Sequence, residues 1–167
     1  KLFAAASDLI INHKNLKVMK IAGGETAGIP FASFLAQSLS LPMLYIRKKS
    51  KSHGISNQVE GQINKTDIVL LVEDLITDAG SKFDFINAIK KEGAIVTDVL
   101  VLFDRQQGGE KALKNESINL HSITNLRTTI DVLKQKNLVD MKTLKSIEEY
   151  LISPEEWHKQ RNLRYSG

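Results

Sequence analysis

Residues Ile68 to Lys82, IVLLVEDLITDAGSK, constrain this chain more than any other stretch. The apolar run IVLLV meets two adjacent carboxylates, Glu73 and Asp74, and a Thr-Asp-Ala-Gly-Ser turn follows at once. A continuous apolar run, rather than an alternating one, is what a strand covered on both faces of a parallel sheet requires. The turn Thr77 to Ser81 offers backbone N–H groups at a helix N-terminus, helped by hydroxyls, and such a turn is a natural phosphate site. Plain N-capping by Asp78 or Ser81 would account for the composition of the turn. It would not account for two like charges side by side at the end of a buried strand. Those ask for a sugar diol, a cationic transition state or a nearby Mg²⁺.

The rest of the chain repeats this strand-then-helix pattern. Val18 to Gly23 reads as a short strand, and Phe31, Phe34, Leu35 and Leu39 recur at helical spacing after a Gly-containing turn. LPMLYIR supplies a second strand. The polar segment from Lys48 to Asp67 is too long for a tight connection and is expected to be an exposed functional loop or a flap of short strands. Beyond Ile68, the residues Phe85, Ile86 and Ile89 form an apolar helical stripe, with Gly93 placed to end it. AIVTDVLVLF is the next strand, DRQQGG a loop, INLHSI a short strand, and Thr128 to Gln135 a helix. Helix is also expected from Asp140 to about Tyr150, with a further short piece starting at Pro154. The class is α/β: a parallel sheet flanked by helices, in one domain over residues 1–167.

Ligands of such sheets bind beyond the carboxyl ends of the strands. The turn Gly23–Gly28, the run from Arg47, the acids from Glu73, and Asp104–Arg105 all fall at such ends. GGETAG lacks the ending of a P-loop and fails the spacing of a dinucleotide site, yet its glycines let backbone approach a diphosphate. Arg47, Lys48, Lys49 and Lys51 are clustered, and a run of this kind is ordinarily a solvated face. His53 follows them and is placed to donate a proton or touch phosphate. The four histidines show no metal-ligand spacing.

Bulk properties narrow the classes. The net charge is +4, which fits an anionic small molecule or a nucleic acid. The cations are not interleaved with aromatics and form no recognised nucleic-acid module, so we expect no nucleic acid as partner. No run is long enough to span a membrane. The chain has no Cys, which excludes a thiolate metal site and suits a reducing compartment; a cytoplasmic location is expected. An acidic pair for a ribose, a hydroxyl-rich turn for a monophosphate, and a Gly turn plus cationic loop for a diphosphate together equip the chain to hold phosphoribosyl pyrophosphate (PRPP).

Here a resemblance becomes specific. VLLVEDLITDAGS (Val69 to Ser81) resembles the signature of type I phosphoribosyltransferases, and RKKSKSHG (Arg47 to Gly54) is similar to the catalytic loop of the orotate phosphoribosyltransferases. AGGETAGIPFA and LFDRQQGG match the same family in order and spacing. The resemblance implies a type I phosphoribosyltransferase-like fold with a flexible catalytic loop, and the transfer of phosphoribose to orotate, yielding orotidine 5′-monophosphate and pyrophosphate. It implies catalytic roles for Lys51, His53, Glu73 and Asp74. Glu25, Thr26, Ala27, Arg47, Lys48, Lys51 and His53 would meet the diphosphate side of PRPP. Glu73, Asp74, Leu75, Ile76, Thr77, Asp78, Ala79, Gly80 and Ser81 would meet its ribose and 5′-phosphate. Thr77 and Arg105 would meet orotate, an anion suited to a guanidinium. Mg²⁺ is the implied cofactor, held mainly by the diphosphate and water with no direct protein ligand. A homodimer sharing its active sites is the implied assembly. The alternatives are a transferase for another base and a PRPP-binding regulator without turnover.

The stretch also departs from the family pattern. Ala27 stands where many relatives carry Lys, and Ala79 where Gly is common, at a cost of roughly 1–2 kcal/mol if that position is left-handed. Asp78 brings a carboxylate to the phosphate turn. The family's N-terminal segment has no counterpart before Lys1, so a fragment, or a partly absent base-binding hood, is expected.

Overall fold

The computed structural model describes residues 2–48 and 58–164. They belong to two compact units, Lys1–Thr124 and Asn125–Gly167. The first carries a six-stranded sheet in the order β3-β2-β1-β4-β5-β6. Its strands are β1 (Lys20–Gly24), β2 (Met43–Ile46), β3 (Val59–Glu60), β4 (Ile68–Ile76), β5 (Ile95–Asp104) and β6 (Asn119–Asn125). β1 runs parallel to β2 and β4, and β4 parallel to β5, while β3 is antiparallel to β2. Helices α1 (Leu2–His13), α2 (Gly28–Leu39), α3 (Gly80–Lys91) and α4 (Gly109–Asn115) complete the unit.

The continuous apolar run is explained by its place at the sheet centre, where Val69, Leu70, Leu71 and Val72 are all buried. Leu70 and Val72 join Ile21, Leu35 and Leu100 on one face, with Ile11 and Ala32 from α1 and α2. Val69 and Leu71 join the opposite core with Phe85, Ile86 and Ile89 of α3. Each such fully buried aliphatic or aromatic side chain contributes about 1.5–3 kcal/mol. The α3 stripe is therefore the one read from the sequence. α2 differs: Phe34 is 57% exposed, and Ala32 and Ala36 bury in its place beside Leu35. Small side chains let that helix lie close on the sheet, which rotates the larger Phe34 outward.

Other departures concern lengths and short elements. β4 does not stop at Val72 but continues through both acids to Ile76. Residues 58–67 are not wholly exposed, because Val59 and Asp67 are buried. α1 and the seven-residue α4 lie in stretches to which the sequence pattern assigned no helix. The segment expected to form a flexible catalytic loop, with Lys51 and His53, lies outside the described residues.

In the second unit, α5 (Leu126–Gln135), α6 (Met141–Ile152) and α7 (Pro154–Gln160) each begin on a polar cap. Asn125 and Asp140 accept the N–H groups of Thr128 and Thr143, and Ser153 that of Glu156, with Pro154 opening α7. Trp157 packs edge-on against Tyr150, and Arg161 lies over its ring at 4.3 Å. No helix among the described residues is long and apolar enough to cross a membrane.

Candidate functional site

Parallel pairing brings the strand ends to one edge. Gly24 lies level with Ile46 of β2, Gly23 with Val72 of β4, and Ile76 with Asp104 of β5. The candidate residues follow directly from these ends, so one register places four chain segments around one edge.

At the β1–α2 turn, the Glu25 amide donates to the Ile46 carbonyl and the Glu25 carboxylate accepts the Lys48 N–H at 2.8 Å. The Glu25 side chain therefore ties the turn to the end of β2. Thr26, Ala27 and Lys48 remain exposed. Arg47 exchanges hydrogen bonds with Gln58: its amide donates to the Gln58 carbonyl, and its own carbonyl accepts from Gln58 Nε2. Its Nη1 lies 3.4 Å from Glu60 Oε1, and its Nε is buried without a hydrogen-bond partner among the described residues. Arg47 and Gln58 are thus fastened to each other.

The two adjacent acids are placed differently. Asp74 is partly exposed. Glu73 is 4% exposed, and its Oε2 accepts from Lys82 Nζ at 2.9 Å. Its Oε1 is buried and has no hydrogen-bond partner among the described residues. Burial pushes the Glu73 carboxyl above its ordinary range; Lys82 opposes that shift, and Asp74 adds to it. The carboxylate fits because Gly24 and Gly28 leave room. A Cβ at Gly24 would stand 1.7 Å from Glu73 Oε1, and one at Gly28 would stand 2.6 Å from that atom and from the Val72 carbonyl.

After β4 the chain enters the proposed phosphate turn. Ala79, not Asp78 or Ser81, is the N-cap of α3, with left-handed backbone at φ 75° and no side-chain cap. The strain anticipated for a non-glycine residue there is present, about 1–2 kcal/mol. Asp78 folds back so that its Oδ1 accepts the Gly80 N–H at 3.0 Å. Within the stretch Leu75 is exposed, Ile76 and Ala79 are buried, and Asp78, Gly80 and Ser81 face outward.

The β5–α4 loop is stitched to this turn. The Arg105 amide donates to the Ile76 carbonyl and the Gly109 amide to the Thr77 carbonyl. Asp104, buried at the end of β5, accepts the Gln106 N–H at 2.8 Å. Backbone bonds therefore hold Arg105 beside Thr77. Its guanidinium makes no ion pair among the described residues.

The structure brings together Glu25, Thr26, Ala27, Arg47, Lys48, the segment Glu73 to Ser81, and Arg105 at one edge of the sheet. Lys51 and His53 lie outside the described residues. Sequence reasoning gave Lys82 no role, although its position one residue beyond the phosphate turn was visible. It also overlooked Gln58 and Glu60, which secure Arg47. Among the described residues, no group of three or more His, Asp or Glu side chains is placed to hold a metal ion.

Comparison with known proteins agrees with this geometry. The phosphoribosyl transferase domain family matches residues 2–131. An orotate phosphoribosyltransferase of Rhizobium johnstonii is 46% identical over 137 residues, which are 82% of this chain and 60% of that protein. The chain thus spans about three fifths of the length of the curated relatives it matches. Among solved structures, the orotate phosphoribosyltransferase of Aeropyrum pernix is 31% identical with a TM-score of 0.69, covering 83% of this chain and 77% of that one. Leishmania donovani UMP synthase shares the fold, with a TM-score of 0.77 at 22% identity over 90% of this chain and 32% of that one. Four strand ends gathered at one edge, an acid pair leading into a polar turn, and a match over most of the length agree: the chain belongs to the phosphoribosyl transferase domain family.

Proposed function

We propose that the protein transfers the phosphoribosyl group of PRPP to orotate, forming orotidine 5′-monophosphate and pyrophosphate. One observation carries this reading: the acid pair, the phosphate turn and Arg105 are held together by hydrogen bonds from the β5–α4 loop to Ile76 and Thr77. The relatives named as orotate phosphoribosyltransferases support the choice of base.

In the reaction, the bond from the anomeric carbon to the pyrophosphate oxygen breaks, and the oxygen leaves with the electron pair. The orotate ring nitrogen supplies the electron pair of the new bond and gives up its proton, which the departing pyrophosphate can take. Positive charge grows on the sugar and negative charge on the leaving group. Asp74 stands at the sugar with Glu73 behind it, while Arg47, Lys48 and the Glu25–Ala27 turn stand at the diphosphate. The α3 turn takes the 5′-phosphate, and Arg105 and Thr77 take orotate. Preorganised charge of this kind contributes on the order of 10²–10³ in rate per group. The donor set suits a Mg²⁺ carried in by the diphosphate rather than a protein cage, since Asp74 is the partly exposed carboxylate of the pair. When bound, the ion offsets charge on the leaving group. Lys51 and His53 serve the neighbouring subunit's site in a cytoplasmic homodimer.

The test is pyrophosphate release from PRPP and Mg²⁺, which should require orotate. Release with a different base, and not with orotate, would reassign the acceptor. The Asp78 carboxylate, which accepts the Gly80 N–H, weakens phosphate binding at the turn and favours neither outcome; the alternative to transfer is PRPP binding without turnover. PRPP binding with no release for any base would select it.

A further inference from the structure

A lysine on the first turn of a helix ordinarily runs out to water. Lys82 instead is 8% exposed, with its Nζ 2.9 Å from Glu73 Oε2 and 3.4 Å from Ser81 Oγ. It cannot reach a ligand without abandoning a buried carboxylate. The charged groups acting on Glu73 are Lys82 from α3 and Asp74 from β4, while the β1–α2 side presents Gly24 and Gly28. The pair therefore joins three segments that the proposed reaction uses separately. Glu73 lies against Gly24 and Gly28 of the diphosphate turn, Lys82 belongs to the first turn of the phosphate-binding helix, and Asp74 follows Glu73 on β4.

We propose that Lys82 is a positioning residue: its ammonium pins Glu73 beneath Gly24 and Gly28, fixing the distance from diphosphate turn to phosphate turn and leaving Asp74 to meet the sugar. The inference rests on the phosphoribosyl-transfer reading and divides its acid pair into one carboxylate that supports and one that acts. Without Lys82, burial favours protonation of Glu73, and a neutral acid has no reason to hold α3 against the β1–α2 turn. The stretch then loses its lock, although every ligand-facing group is still present.

The test compares Lys82→Met, Lys82→Arg and the double variant Glu73→Gln/Lys82→Met with the parent protein. In Lys82→Met, kcat/KM for PRPP should fall about tenfold or more, and the acid limb of its pH profile should move up by about one pH unit. Lys82→Arg should keep the parent limb. The double variant should show no limb shift, because Gln does not titrate, and should unfold at or above the parent temperature while its kcat/KM stays low. A Lys82→Met variant that loses unfolding temperature but keeps the parent pH profile would make the residue merely structural and overturn the proposal. So would a double variant with parental kcat/KM. Where Lys82→Met fails to fold, the Arg and double variants carry the same decision. If the parent itself releases no pyrophosphate with any base, the functional reading falls. The pairing is then judged from ligand-free unfolding against pH. A steeper loss of stability above pH 4.5 in Lys82→Met than in the double variant supports it, and identical curves overturn it.

Discussion

Two buried lysine–carboxylate pairs sit at opposite ends of the sheet, and they are built to different standards. At the amino edge, Lys20 Nζ lies 3.2 Å from Asp67 Oδ2 and also donates to the Gln62 carbonyl at 2.7 Å, while Asp67 accepts the Asn64 amide at 2.7 Å. That amide, the lysine and the Asn64 contacts hold the Asp67 carboxyl below its ordinary range despite burial. At the carboxyl edge, Glu73 has one oxygen on Lys82 and the other without a hydrogen-bond partner among the described residues, and burial holds it above its ordinary range. Side-chain exposure is nearly the same in the two pairs, 10% and 6% against 10% and 5%, so depth does not explain the contrast. The difference is satisfaction. The amino-edge pair closes its hydrogen bonds and serves folding, whereas the carboxyl-edge pair carries an unmet acceptor where the proposed chemistry happens.

The sharpest way to break this contrast is Asp74→Asn. It should lower kcat/KM for PRPP by about 10²–10³ while the unfolding temperature stays near the parent value, read by steady-state kinetics beside calorimetry. An equal loss in both would place Asp74 with the folding residues. Lys20→Met should do the reverse: the unfolding temperature falls by several degrees, roughly, because a buried partner is stranded, while activity per folded molecule stays within about twofold.

Unfolding measured from pH 3 to 7 separates the pairs by sign. Asp67 is depressed, so its contribution is present above the unfolded value of 3.8 and is lost as pH falls through the folded value. Glu73 is raised, so the folded state holds the extra proton above 4.5, and stability declines as pH rises through that window. Asp67→Asn should flatten the acid limb, and Glu73→Gln the limb above 4.5. The smallest effect belongs to Asp78→Asn, which removes a negative charge beside the phosphate turn. Calorimetric titration should show PRPP binding tighten a few-fold, about the worth of one exposed charge contact.

Much of this was legible in the sequence because burial on both faces leaves a continuous apolar run, and that run located β4, its flanking turn and the sheet edge where the candidate residues gather. The apolar stripe of α3 was legible for the same reason. The end of β4 was not, because charges at 73 and 74 look like the close of a strand when they in fact lie within it. α4 was hidden by its seven residues, too short for a helical period to declare itself. The burial of Lys82 left no local signal, since a lysine on a helix reads as solvated until its partner nine residues earlier is seen in space. Neither did the fate of Asp78, whose exposed carboxylate engages the Gly80 amide.

The close approach of Glu73 to the β1–α2 turn makes positions 24 and 73 genetically dependent. A methyl group at 24 collides first with the tip of Glu73, which can be shortened, and then with the Phe85 ring at 2.5 Å, so that side chains alone obstruct it, whereas at 28 it also collides with the Val72 backbone, which cannot give way. Gly24→Ala should therefore be better tolerated in a background where residue 73 is small, and Gly28→Ala in neither background. Among homologues the two sites are expected to drift together, and intolerance at 24 in a mutational scan would report this crowding, not contact with substrate.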